Sequence, residues 1–367
     1  MSGVDILFFA EDPGAANYLD GIIAGAIDEG MSTAVIAHGK AKEKFQDRYE
    51  LATPLAKDQN AAAILDQFRP RIVLVGTAVN PDSLGLGLVI ESKKRGLMTV
   101  GAIDGPGSEG WRFRGRTENP LAYAPDKILV PDEATQRAFW DIGAAPETVF
   151  VCGSPHFDFV HAAREKFSKT GRAAHRKKTF PNLAADRRIV VCAPDPVGGV
   201  NPQDHVRSPE YTLHGLGTSD QRPDIFIEEF MAGLDACEGP KPYLVLRLHP
   251  RSNPEDFKAD LSRFDEISQG GLVLDLLYCA DLVVALTSIL IVEATLLGTP
   301  SLSIVPRAKE ASWLSTIEMK LTPVAVTRDE IHHLLPTALK AERHSIEVLK
   351  AAFPADCARR IMDIIIQ

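Results

Sequence analysis

No apolar run in this 367-residue chain approaches the roughly 20 residues that a membrane-crossing helix needs. The first apolar stretch, 6–10, follows Asp5 rather than a basic region, so it reads as a strand and not as a secretion signal. Basic charge is also short: 40 Lys and Arg against 49 Asp and Glu give −9, which excludes an extended nucleic-acid surface. The five cysteines (Cys152, Cys192, Cys237, Cys279, Cys357) are scattered and form no CxxC pair or Cys/His cluster. A reduced, cytoplasmic protein without structural zinc is expected. EF-hand, P-loop, HExxH and GxSxG patterns are missing, and no repeat of fixed period occurs. The chemistry is therefore expected to run without a cofactor, and a metal is not required if fixed donors stabilise a leaving phosphate.

What is present is an alternation. Short apolar runs predict strands at 5–10, 33–37, 72–76, 99–103, 127–130 and 148–152, with helices at 18–29, 60–68, 84–95 and 133–142 between them. Such spacing implies right-handed crossovers and a parallel, doubly wound sheet. The pattern restarts at 188–193 and continues through 243–248, 272–274, 282–286, 301–305 and 323–326, after which Thr327 and Glu330 are spaced as a capping box. The fold class is thus α/β, with two tandem Rossmann-like domains at 1–165 and 188–345. A basic linker (166–187) would join them, and a helix within 346–367 would close the chain. The linker reads as an exposed helix, or as a surface for an anionic membrane or acceptor. The stretch 194–223, rich in Gly, Pro, Asp and Ser, reads as a binding lid or as disorder.

The segment 282–306 carries the most chemistry. A buried strand runs into Thr287-Ser288, then a helix with one acid, Glu293, closed by Gly298 and followed by a further strand. A helix start beside a strand's carboxyl end offers free N–H groups and hydroxyls to a phosphate. Glu293, further along, suits the hydroxyls of a sugar. His249 follows another apolar strand and is stopped by Pro250, so its imidazole can donate to the same phosphates, with Arg247 or Arg251 adding charge. In the first half, Asp104-Gly105 ends a strand and Asp104 is the candidate base, with Glu109 second. Gly105 and Gly107 allow close backbone approach, and Arg112, Arg114 and Arg116 could bind an anion. The turn holding Asp12 and Gly14 lacks GxGxxG, which disfavours NAD, and suits acceptor or donor-sugar contact.

Three segments in order, 151–158 (Val-Cys-Gly-Ser-Pro-His-Phe-Asp), 246–251 (Leu-Arg-Leu-His-Pro-Arg) and 280–288 continuing to Glu293 and Gly298, resemble motifs of the GT-B glycosyltransferase superfamily, which includes the UDP-N-acetylglucosamine 2-epimerases. The first is similar to the segment closing the N-terminal domain in many of these enzymes. The second is similar to the His-Pro motif of bacterial sialyltransferases and CDP-glycerol glycerophosphotransferases, and the third to their Ser/Thr motif. The resemblance implies two facing domains and transfer of a CMP-, CDP- or UDP-linked sugar to a glycan or lipid-linked acceptor in surface polysaccharide synthesis, with peripheral membrane contact an option. It assigns the phosphate to His249, the ribose to Glu293 and the base to Asp104. The chain departs from the pattern where Ile103-Asp104 replaces an acid pair. It departs again where Pro194-Asp195-Pro196 replaces the His-Arg-Arg-Glu cluster of the epimerases, and Leu286-Thr287-Ser288 their Ser-Gly-Gly. A 2-epimerase, hydrolysing or not, and a non-catalytic nucleotide-sugar binder are the alternatives. Oligomeric state is left open.

Overall fold

A computed structural model describes residues 3–54, 60–77, 80–105, 107–198, 205–271 and 273–366. The chain divides into two compact units, Met1–Phe159 with Pro354–Gln367, and Val160–Phe353.

The first unit is built on a six-stranded parallel sheet: β1 (Ile6–Ala10), β2 (Thr33–Ala37), β3 (Ile72–Gly76), β4 (Met98–Ala102), β5 (Lys127–Val130) and β6 (Val149–Val151), in the order β2-β1-β3-β4-β5-β6. Successive strand side chains point to opposite faces. Ile6, Phe8 and Ala10 accordingly pack with Tyr18, Leu19 and Ile22 of helix Pro13–Asp28 and with Ile361, Met362 and Ile365 of helix Cys357–Ile366. Leu7 and Phe9 turn the other way, onto Ile64, Leu65, Leu88 and Val89. Burial on both faces explains why β1 is apolar throughout. Helix Pro13–Asp28 lies close to the sheet because Gly76 has no side chain: a Cβ there would sit 2.6 Å from that of Ala15. This helix starts five residues before the expected position, since Pro13 is pre-set for the first helical turn and the small residues after it carry no apolar period.

The second unit holds β7 (Ile189–Ala193), β8 (Tyr243–Arg247), β9 (Glu266–Ser268), β10 (Leu282–Ala285), β11 (Ser301–Ile304) and β12 (Val324–Ala325), again all parallel. Their order is β12-β11-β10-β7-β8-β9. The chain steps outward from β7 to β9, then returns to β10 on the far side of β7. The strand order therefore reverses between β7 and β10, and the carboxyl ends at such a switch point are where ligands bind in sheets of this kind.

Several expectations need correcting. Residues 273–279 form a helix, Val273–Cys279, and not a strand; Leu272 lies outside the described residues. The sheet position belongs instead to Glu266–Ser268, an edge strand whose Ile267 is 44% exposed, so it carries little apolar signal. Strand β7 lies between β8, which leads to His249, and β10, which leads to Thr287. Over 166–187 the chain is no loose linker. Helices Pro155–Thr170 and Arg172–Thr179 occupy most of it, and Arg172 and Arg176 grip Asp281 at 2.8 and 3.0 Å. Those two cations are therefore spent inside the unit, while Lys177 and Lys178 stay exposed. Residues 346–367 contain two helices, Ile346–Ala352 in the second unit and Cys357–Ile366 in the first. Within 194–223, residues 199–204 lie outside the described set, but 205–221 are ordered. Val206 bridges Gln221, the Gly215 N–H reaches Glu229 at 2.9 Å, and Tyr211 and Leu213 are buried.

Candidate functional site

At the carboxyl edge of the second sheet, three consecutive strands each deliver a polar side chain. β8 ends in Arg247 and leads to His249, β7 leads to Asp195, and β10 leads to Thr287 and Ser288. Ser288 is the N-cap of helix Ile289–Leu296, its hydroxyl accepting from the Leu290 N–H at 3.3 Å. Its proton remains free to donate outward.

The residue that binds this edge together is Arg222, at the start of helix Arg222–Asp235 and 2% exposed. One of its terminal nitrogens donates to Asp195, and the other to the Thr287 hydroxyl at 3.3 Å and to Glu310 at 2.5 Å. Glu310, fully buried, also accepts from Arg307, and both guanidiniums lie over the Trp313 ring at about 6 Å. Buried charges persist when paired and hydrogen-bonded in this way. Because Thr287 accepts from Arg222, its own proton is left to donate to another partner.

His249 accepts at Nδ1 from the Arg251 N–H, 3.1 Å away, which puts the ring proton on Nε2. Burial and the nearby Arg251 lower its pKa to about 4, with Asp195 opposing. At neutral pH this imidazole is an uncharged donor. Arg251 is exposed, whereas Arg247 is buried and donates to Ser268 at 3.0 Å and to the Gly270 carbonyl at 2.5 Å. Burial pushes the Arg247 guanidinium down, with Glu293 opposing. Glu293 is itself only 2% exposed. The sequence-derived group of His249, Arg251, Thr287 and Ser288 thus shares one edge, while Arg247 and Glu293 lie beneath it.

At the matching edge of the first sheet, Asp104 follows β4 and takes a 3.0 Å ion pair from Arg112. Its other oxygen fills the space beside Gly14: a Cβ on Gly14 would lie 1.8 Å from it. Gly14 is therefore a glycine because an aspartate occupies the first turn of helix Pro13–Asp28, of which Asp12 is the N-cap. Arg112 also reaches the Thr77 hydroxyl at 3.3 Å. Glu109 folds back to accept from the Gly107 N–H at 2.6 Å. A Cβ on Gly105 would meet nothing, so packing does not demand glycine there, whereas Gly107 has φ +90°. Arg114 and Arg116 are engaged locally, Arg114 over Trp111 and Arg116 with Asp82. Half-buried Glu11, beside Asn80, joins the same edge, and burial raises its carboxyl.

Sequence reasoning missed Asp195, Arg222, Arg307, Glu310 and Glu11. The one available signal was Asp195 between two prolines directly after a strand. No group of His, Cys, Asp and Glu suited to a metal occurs among the described residues, and none of their helices is long and apolar enough to cross a membrane.

No protein-family model matches the chain, and no curated protein is significantly similar in sequence. Solved structures do match. A UDP-GlcNAc 2-epimerase from Neisseria meningitidis bound to UDP-GlcNAc aligns with TM-score 0.66 at 13% identity, over 99% of both chains. The wall teichoic acid polymerase TagF aligns at 0.54 and 14%, over 100% of this chain and 89% of its own. Anabaena HepE in complex with UDP-glucose aligns at 0.57 and 15%, over 99% and 95%. What this chain shares with them is the GT-B fold of two Rossmann-like units.

Proposed function

We propose that the protein is a glycosyltransferase that moves a nucleotide-activated sugar to a glycan or lipid-linked acceptor in surface polysaccharide synthesis, at the cytoplasmic side. The observation that carries this reading is the placement of an uncharged His249 donor and the Thr287 and Ser288 hydroxyls at one carboxyl edge, past the strands on either side of β7, where the second sheet reverses. Such fixed donors suit a leaving phosphate, which gains negative charge as the sugar departs. Asp104, oriented by Arg112, would take the acceptor's proton, and Arg251 would add charge beside the phosphate. The fold's occurrence in proteins bound to UDP-GlcNAc and UDP-glucose supports a nucleotide-sugar donor.

A 2-epimerase is the second reading, favoured by the full-length alignment to such enzymes. Against it stands the acidic Asp195, where the resemblance would place a basic cluster. Two measurements separate them. A thermal-shift panel of CMP, CDP, UDP and GDP should raise the melting temperature with at least one nucleotide, by mass action. Incubation with UDP-GlcNAc alone should then give no product; turnover without an acceptor would replace the transferase with the epimerase. Binding without turnover under any acceptor would leave a nucleotide-sugar binding protein.

A further inference from the structure

Nine of the 40 basic residues but only two of the 49 acidic ones fall within 160–188, so a chain of net charge −9 gathers positive charge in one short span. The structure sorts that charge by residue type. All five arginines are engaged inside the second unit. Arg164 donates to the Leu296 and His344 carbonyls at 3.3 and 3.1 Å, and Arg172 and Arg176 hold Asp281. Arg187 pairs with Asp265 at 3.1 Å, and Arg188 donates to the Leu339 carbonyl. The four lysines, Lys166, Lys169, Lys177 and Lys178, are exposed and have no ion-pair or hydrogen-bond partner among the described residues.

Packing decides which way those lysines point. Phe167 and His175 are buried, their ring centroids 4.4 Å apart, and both meet the Tyr278 ring of helix Val273–Cys279, at 5.1 and 5.5 Å. One side of each helix is thereby turned onto the unit. Lys166 and Lys169, three residues apart, share an outer stripe of the first helix, and Lys177 and Lys178 stand on the open side of the next. Between 160 and 179 the one acid is Glu165, and the other exposed residues are Ala162, Ser168, Thr170, Ala173 and Ala174. With neighbours so small, the long lysine stems reach a flat surface first.

We propose that this lysine face docks the protein on an anionic lipid surface. Each lysine close to such a bilayer strengthens binding roughly fivefold, and four act together. The chain's overall negative charge does not prevent this, because at physiological salt charges beyond about 8 Å are screened. A nucleic acid fits less well, since the forked arginines are engaged and no aromatic ring is exposed among the lysines. The inference stands apart from the nucleotide reading, and a membrane position would suit a lipid-linked acceptor if that reading holds.

Sedimentation of the full chain with vesicles tests it, using phosphatidylcholine alone or with a third of phosphatidylglycerol. The anionic vesicles should bind at least about tenfold more tightly, and about 0.5 M salt should abolish the difference. Combining Lys166→Gln, Lys169→Gln, Lys177→Gln and Lys178→Gln should remove most of that binding while leaving the urea midpoint unchanged. The matching four-arginine variant should bind as the parent does, which separates lost charge from lost structure. Equal binding to both vesicle types, no binding to either, or parent-like binding by the glutamine variant overturns the proposal. Tighter binding to a DNA duplex than to the anionic vesicles would overturn it in favour of a nucleic-acid surface.

Discussion

Each sheet ends in an aspartate held by an arginine, Asp104 with Arg112 and Asp195 with Arg222, yet the helix starts beside them are used differently. In the first unit the aspartate itself fills the space over the helix's first turn, made possible by Gly14. The protein has supplied its own anion. In the second unit the N-cap is a serine hydroxyl, and the aspartate is drawn aside by a buried arginine. Similar parts at the same topological position are thus arranged differently, and the difference lies in one missing Cβ and one buried guanidinium.

The comparison can be broken most forcefully at Arg222. Arg222→Ala strands Glu310 without a partner for one oxygen, and losing one member of a buried ion pair costs about 3–5 kcal/mol. Urea denaturation should show that loss, and a change below 1 kcal/mol would mean the network is not what fixes the edge. Asp104→Asn keeps the shape over Gly14 but removes the proton acceptor, so transfer should slow by roughly 10²–10⁴-fold with donor affinity kept; equal rates would retire Asp104 as the base. Gly14→Ala pushes a methyl into the Asp104 carboxylate and should destabilise by about 1–3 kcal/mol, as overpacking does. Adding Asp104→Ala should recover most of that, and a double variant as unstable as the single one would place the strain elsewhere. Ser288→Ala removes an N-cap and should cost about 1 kcal/mol while weakening nucleotide binding, whereas Ser288→Thr should keep both.

The last effect concerns pH. With a pKa near 4 in the fold against 6.5 for a free imidazole, His249 binds its proton in the unfolded chain first. Stability from this group is therefore present above pH 6.5 and lost as pH falls toward 4. The parent should lose more unfolding free energy than His249→Gln between pH 7 and 4.5, and parallel curves would contradict the assignment.

Most of the fold could be read from the chain because strands buried on both faces leave uninterrupted apolar runs, as in Ile6–Ala10 and Leu282–Ala285. Glu266–Ser268 escaped since an edge strand with two polar residues has no such run, and the helix Val273–Cys279 took its place in the reading. The site divides in the same way. His249, Thr287, Ser288 and Asp104 were candidates because each stands just past a strand, at the edge where ligands bind in such sheets. Asp195, Arg222 and Glu310 form one unit only in space: Arg222 is 27 residues from the first and 88 from the second. No local pattern records such a partnership. Nor does sequence reveal that Arg247 would be consumed by the Gly270 carbonyl, or that Arg172 and Arg176 would be consumed by Asp281.

Helix Cys357–Ile366 belongs to the first unit although the whole second unit precedes it in the chain. Its Ile361, Met362 and Ile365 cover Tyr18, Leu19 and Ile22, Lys127 reaches the Ile364 carbonyl at 2.6 Å, and Arg360 reaches that of Cys152 at 3.2 Å. During synthesis, the part made first is thus the part finished last. Until helix Cys357–Ile366 is made, the apolar side chains of helix Pro13–Asp28 that it covers stay open, so the first unit carries sticky surface throughout synthesis of the second.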